Sequence, residues 1–359
     1  MSGSVVAPND SRQIFSVGQD GFTVRDLLDA AYFRGEVQPV WDKLLRLVAC
    51  EARVADEDRE PNEDAVDAAA QAFRYEHDLI TAEETEDWLA ARGLTLDDFS
   101  DYFTRHHWSE MLGEPVEVRP VDYFCAPQEL RELLIAEVMF SGELGQMANF
   151  FSRRLAVDRE AGSPAEDAHV TKQREEFLQR VGLHEKEVMD WLGKLGRDEG
   201  WLNEMLRLEA AYDRERDQVL TPQARQRELG ALRLQLAVFD VEIIEFDSRD
   251  AACEALFCVR DDGMAMEEVA REGRYPFRRE QLLLEEIAPD MQQQFLSVIP
   301  GEVLEPIELE GAHRLYRVVS KREPDPEDPK VRDRVEQRIL ERHFSAAVSK
   351  HVHWDILLG

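Results

Sequence analysis

Lysine is scarce in this 359-residue chain: only seven of its 43 basic residues are lysine, and arginine supplies the rest. Basic charge as a whole is short, 43 Lys and Arg against 75 Asp and Glu, for a formal net charge of −32. A protein that tracks a phosphate backbone needs a basic face to displace counterions, and an acid excess of this size repels nucleic acid and anionic lipid alike. Neither is expected as a ligand. Cysteine is rare too. Cys50, Cys125, Cys253 and Cys258 have no CxxC spacing and none of the density of a secreted scaffold, which points to free thiols in a reducing compartment. No uninterrupted apolar run approaches the ~20 residues of a membrane span. Met1 to Gly21 has neither the basic n-region nor the apolar h-region of an export signal. The expected location is therefore the cytoplasm, without membrane insertion.

Several chemical signatures are missing as well. There is no glycine-rich phosphate loop, no H-E-x-x-H and no G-x-S-x-G. A di-iron bundle needs Glu-x-x-His pairs on inward helix faces. Here Glu166 to His169 falls in a linker-like run and Glu310 to His313 in an extended one. His106 and His107, and His351 and His353, have no third partner at ligand spacing. No metal and no cofactor are expected.

What is present is helix after helix. At 43% hydrophobic the chain can bury real cores, and its length suits two or three folding units. Thr23 is placed to cap a segment with Val24, Leu27, Leu28 and Ala31 on one face. Asn62 opens another that carries Ala65, Ala69 and Phe73. Thr81 and Glu84 form a capping box ahead of Trp88 and Leu89, with Gly93 as the stop. Thr95 starts the next helix, with Leu96, Phe99, Phe103 and Trp108 as its apolar stripe. A short extended stretch, Val116 to Val121, leads to a long helix from about Pro127 to Ala156, and Val157 to Asp167 has linker composition.

Phe73, Leu79 and Trp88-Leu89 then recur as Phe177, Leu183 and Trp191-Leu192, at an offset of 104 falling to 103. We read this as an internal duplication of a helical module, the alternative being two amphipathic helices that share D-W-L by chance. Trp88 and Trp191 read as core residues, with peptide anchors as the rival assignment.

After Gly230 the pattern changes. Ala237 to Phe246 is rich in β-branched and aromatic residues and reads as a strand, and Ser248 caps a helix to about Val259. Short helical pieces follow, through FRREQLLLEEIAPDMQQQFL. Pro300-Gly301 then turns the chain into two extended runs, Val303 to Leu309 and His313 to Ser320. Lys321 to Lys330 is too rich in proline for helix or sheet interior, and Val331 to Val352 is helical again.

The segments FDVEIIEFDSRDAACEAL and PGEVLEPIELEGAHRLYRVV resemble a parvulin-type (PpiC-like) peptidyl-prolyl isomerase domain, the second of them in its Gly-x-His-hydrophobic closing pattern. The preceding helical region, including ITAEETEDWLAARGLTLDDFSDYF, is similar to the chaperone module of SurA- and PrsA-like foldases. The resemblance implies a mainly α protein: helical chaperone-like modules, a small α+β domain, and a C-terminal helix that returns to the helical body. The corresponding division is a tail at 1–22, helical modules at 23–165 and 166–236, the parvulin-like domain at 237–322, and a linker with the C-terminal helix at 323–359.

By the same resemblance His313 takes the family's second histidine position and is the candidate catalytic residue. Met291 and Phe295, spaced Met-x-x-x-Phe, are candidates for the peptide pocket together with Glu242 and Tyr316. The first strand departs from the pattern, carrying Asp240, Glu242 and Glu245 but no histidine, and REGRYPFRREQ lacks the glycine pair. The expected function is a peptide-binding chaperone or escort with little or no isomerase activity. Its partner would be an unfolded client, a precursor peptide or that peptide's modifying enzyme. The alternatives are an active prolyl isomerase and a structural subunit that binds one folded partner.

Overall fold

The computed structural model describes residues 9–112, 116–123, 126–161, 167–309 and 311–356. Cys125, Glu166 and Glu310 lie outside them, as does the 165/166 boundary. The chain opens with β1 (Gln13–Val17), β2 (Asp20–Thr23), α1 (Val24–Phe33), α2 (Val37–Asp56), α3 (Glu63–Glu76), α4 (Ala82–Arg92) and α5 (Leu96–Leu112). It continues with α6 (Gln128–Phe140), α7 (Glu143–Ala161), α8 (Asp167–Val181), α9 (Val188–Leu195), α10 (Glu199–Val219) and α11 (Pro222–Ala231). Then come β3 (Val238–Phe246), α12 (Arg249–Arg260), α13 (Met266–Gly273), β4 (Phe277–Leu283) and α14 (Pro289–Ser297). The last elements are β5 (Ile307–Leu309), β6 (Ala312–Arg322), α15 (Pro329–His351) and β7 (Val352–Trp354). This is the mainly α class expected from the sequence, with two small antiparallel sheets. Two compact units result, Met1–Arg216 with His343–Gly359, and Asp217–Arg342. Among the described residues no helix is long and apolar enough to cross a membrane.

In the first unit the anticipated tail at 1–22 holds a short 3-10 turn at Asn9–Ser11, strand β1 and most of β2. Ile14, Phe15 and Val17 are buried, and Gly18, at φ +67°, takes the left-handed turn that folds β2 back on β1. β7 pairs with the other edge of β1, and Phe15 sits 5.2 Å from the rings of both Phe22 and Trp354. The C-terminal segment thus returns to the helical unit. Phe344 is buried there beside Tyr212, and Lys350 pairs with Glu160.

The expected caps form. Thr23 with Asp26 and Thr81 with Glu84 make capping boxes, and Asn62 accepts from the amide of Ala65. The single long helix expected over 127–156 is instead α6 and α7. Gly142 at φ +76° breaks the run, and Ser141 Oγ donates to the Glu143 carboxylate at the new start. The linker-like run beginning at Val157 is helical to Ala161. Leu96 departs from its expected stripe: it opens α5 and stays exposed while Phe103 and Trp108 are buried. On α3 the inward residues are Val66, Ala70 and Phe73, and Ala69 faces solvent.

In the second unit the sheet order is β4-β3-β6-β5. Ser248 caps α12 through the Ala251 amide. The FRREQLL run, expected as a helical piece, is strand β4. It pairs antiparallel with β3 from Val238↔Leu283 to Ile244↔Phe277. Its Arg-Arg-Glu-Gln center suits a helix by propensity, but opposite β3 those arginines meet carboxylates, and cross-strand pairing overrides the local preference.

Candidate functional site

Of the site residues expected from the sequence, Glu242, His313 and Tyr316 lie on the small sheet and Met291 and Phe295 on α14, and strand alternation divides the sheet residues between its two faces. Tyr316 and Val318 of β6 face the same side as Phe239, Val241 and Ile243 of β3. There they pack on Met291 and Phe295 from α14. Phe295 is 0% exposed, with ring centers 5.5 Å from Tyr316 and 5.7 Å from Phe239, both edge-on. Met291, Phe295 and Tyr316 are thus brought together, as parts of a closed core. Burying a side chain of this size is worth about 1.5–3 kcal/mol to the fold, and a residue without exposed surface presents nothing to a peptide.

His313 lies on the opposite face. It shares parity along β6 with Leu315, which packs on Ile244, Phe246 and α12. In register His313 stands opposite Phe246, whereas Glu242 stands opposite Arg317, four residues further along β6. That separation is roughly 13 Å at strand rise. His313, Glu242 and the Met291–Phe295–Tyr316 group therefore occupy three separate places.

Glu242 is 5% exposed at the middle of β3. Arg279 of β4 donates from Nε to its carboxylate at 3.1 Å, and Nη2 of Arg317 on β6 lies 2.5 Å from Oε2. The neighboring acids are held alike. Glu245 is paired with Arg314 and Arg278, and Asp240 with Arg322, Ser320 and Gln281. The hydrogen bond from Arg314 holds Glu245 below the usual carboxylate range, and that from Arg322 does the same for Asp240. Glu242 and Glu245 are each paired with an arginine from both neighboring strands and Asp240 with Arg322 of β6, while Glu242 Oε2, close to Arg317, accepts no hydrogen bond. Sequence reasoning missed these arginines, although the signal was visible: the acids of D-V-E-I-I-E face the bases of F-R-R-E and H-R-L-Y-R once the strands are paired.

The helical unit shows the sequence repeat in three dimensions. Phe73 meets Trp88 edge-on at 5.4 Å and Phe177 meets Trp191 edge-on at 5.2 Å. The Leu79 amide donates to the Arg74 carbonyl after Asp78 at φ +55°, and the Leu183 amide donates to the Leu178 carbonyl after Gly182 at φ +67°. Glu84 accepts from the Thr81 amide, and Glu187 from the His184 amide. Gly93 and Gly196, both left-handed, end the second helix of each pair with matching bonds, Leu94 to Leu89 and Arg197 to Leu192.

No family model matches the chain, and no curated protein matches it. Among solved structures it is similar to the peptidylprolyl isomerase PrsA from Bacillus cereus, at 16% identity and a TM-score of 0.35 over 58% of this chain and 82% of that one. The foldase protein PrsA from Lactococcus lactis aligns over 95% of this chain and 90% of its own, at 12% identity and a TM-score of 0.26. A SurA-like chaperone from Campylobacter jejuni aligns at 8% identity and a TM-score of 0.21, over 60% of this chain and 88% of its own. Overlap at these scores decides nothing about activity.

Proposed function

We propose that this protein is a peptide-binding chaperone or escort whose parvulin-like unit binds and scaffolds, with little or no prolyl isomerase activity. The observation that carries this reading is the dispersal of the candidate catalytic groups. A prolyl bond must cross a barrier of ~18–20 kcal/mol, and an enzyme lowers it by holding the twisted, desolvated bond against converging groups. Here His313 and the α14 residues are on opposite faces of the sheet, and Glu242 is tied to two arginines. Narrower parts of the proposal are a client that is a precursor peptide or its modifying enzyme, in peptide maturation or export, and a cytoplasmic location. Cys50, Cys253 and Cys258 are free thiols, which suits a reducing compartment.

A paired assay tests the reading. Wild type and His313→Ala are expected to leave a proline-peptide substrate at its uncatalyzed rate in a protease-coupled measurement, while both suppress light scattering from a refolding client at near-equimolar ratio. Acceleration of isomerization that disappears in His313→Ala would establish the isomerase alternative instead.

A further inference from the structure

We infer that the first helical copy carries a docking surface for a basic amphipathic segment of a client, a lysine- or arginine-rich stretch with one or two apolar anchors. The inference rests on the chaperone reading above and gives it a site and a client chemistry.

Its starting point is the single residue by which the two copies differ in length. The offset is 104 at Leu79/Leu183 and 103 from Thr81/His184 onward, so Ile80 has no counterpart. Ile80 is 62% exposed in the α3–α4 connection. Tyr75, in the last turn of α3, is 61% exposed, and Leu96, at the start of α5, is 54% exposed. All three belong to one packed module, because Phe73 of α3 meets both Trp88 of α4 and Phe99 of α5 edge-on. Scattered surface apolar residues are ordinary. An isoleucine added to a short connection whose twin manages without it, five residues after the exposed Tyr75, adds nothing to the core and is available to a partner.

Charge names the partner. From Tyr75 to Asp101 there are nine carboxylates and one arginine. That arginine, Arg92, is buried, with its guanidinium 3.9 Å from the center of the Trp88 ring. Glu84 and Asp98 serve the caps at Thr81 and Thr95, which leaves seven. The corresponding stretch of the second copy, Gln179 to Glu204, has six acids and four bases. There Arg180 and Arg197 bind α1, to the Phe33 carbonyl and to Asp26 and Asp29. The same module thus exists in a form with four bases among six acids and in one with Arg92 alone among nine acids, a surplus that suits a cationic partner. A cationic segment with an apolar anchor gains from both components, whereas a neutral one gains only from the apolar contact. Nucleic acid and anionic lipid are repelled by the same field.

Fluorescence anisotropy on the full chain provides the test, with two labeled probes of equal length, an amphipathic Lys/Leu peptide and its Ser/Leu counterpart. Two variants are compared with wild type: Tyr75→Ser with Ile80→Ser, and Glu83→Lys with Glu86→Lys and Asp87→Lys. All five positions are exposed and none makes a cap hydrogen bond. The wild type is expected to prefer the Lys/Leu probe by about tenfold at low salt, and less at physiological ionic strength, where the screening length is about 8 Å. The lysine variant is expected to lose about tenfold for Lys/Leu and to hold Ser/Leu within about twofold, and the serine variant to weaken both probes. Lys/Leu affinity unchanged in both variants would refute this surface while leaving the chaperone reading intact. Equal loss of both probes in the lysine variant would refute the preference for basic segments. A wild type that binds neither probe would overturn the chaperone reading and this inference with it.

Discussion

The two helical copies have the same internal design and opposite surroundings. Each has a Phe–Trp edge contact at its center, a left-handed residue after its first helix and a left-handed glycine after its second. The first copy packs its aromatics on α5 and α6, with Trp88 stacked 5.9 Å from Phe140. The second packs on α1: Phe177 stacks on Phe33 at 4.9 Å, and Arg197 reaches Asp26 and Asp29, each at 2.7 Å. Hydrophobic design was therefore kept in common while charge diverged. One copy uses Arg180 and Arg197 to fasten α1, and the other leaves most of its acids in solvent. Local packing rules fix a module, and its electrostatic surroundings set what the module can be used for.

The equivalence of the cores is the sharpest point to attack. Phe73→Ala and Phe177→Ala are each expected to cost about 3–5 kcal/mol, since both rings are buried and the space left cannot fully collapse. Chemical denaturation checks this, and a cost below about 1 kcal/mol at either site would show that the two copies are not energetically alike.

The arginines should separate the copies. Arg197→Ala leaves Asp29, 2% exposed, with only the longer 3.8 Å pairing to Arg25 and is expected to cost about 2–4 kcal/mol at neutral pH. Arg92→Ala removes a cation–π contact and a bond to the Trp88 carbonyl, for about 1 kcal/mol. Equal costs in urea titrations would undo the contrast between a fastened copy and a free one.

Acidity provides the smallest effect and the clearest sign. Burial lifts the Asp29 carboxyl to about 6 despite the pull of Arg197. Its native form thus holds a proton more tightly than the unfolded chain, and this contribution is full below about 3.8 and lost as pH rises through about 6. Glu137, beside the first copy, behaves oppositely. Burial would raise it, but His106 and Lys43, 3.1 and 2.9 Å from its carboxylate, hold it below 4.5. Its contribution is present above 4.5 and lost as pH falls through the lower native value. Carboxyl-carbon NMR should show Asp29 titrating near 6 and Glu137 in the acid range, and an Asp29 midpoint near 4 would contradict its burial.

Much of the local structure is legible in the residues themselves. Thr23, Asn62, Thr81 and Ser248 announce their helices because a side-chain oxygen can reach an amide three residues on whatever the rest of the chain does. The duplication is legible for a similar reason, since Phe73/Phe177 and Trp88/Trp191 meet within short stretches of chain. β4 was not legible, because Phe-Arg-Arg-Glu-Gln becomes a strand only opposite Asp240, Glu242 and Glu245, about forty residues earlier in the chain. The candidate site was half legible. Met291, Phe295 and Tyr316 do converge, but whether a cluster is a pocket or a core depends on what covers it, and spacing carries no information on that.

The sequence by itself determined the class of the protein, its caps, its repeated module and its large acid excess, all of which follow from chain-local spacing or from composition. Tertiary structure alone decided which charges are satisfied and which are free. Asp240, Glu242 and Glu245 found arginines across strands, Asp26 and Asp29 found Arg197 about 170 residues away, and the acids around Ile80 kept facing water. The physical reason is range: a cap closes over three residues, whereas an ion pair depends on which distant segments the fold brings within a few ångströms.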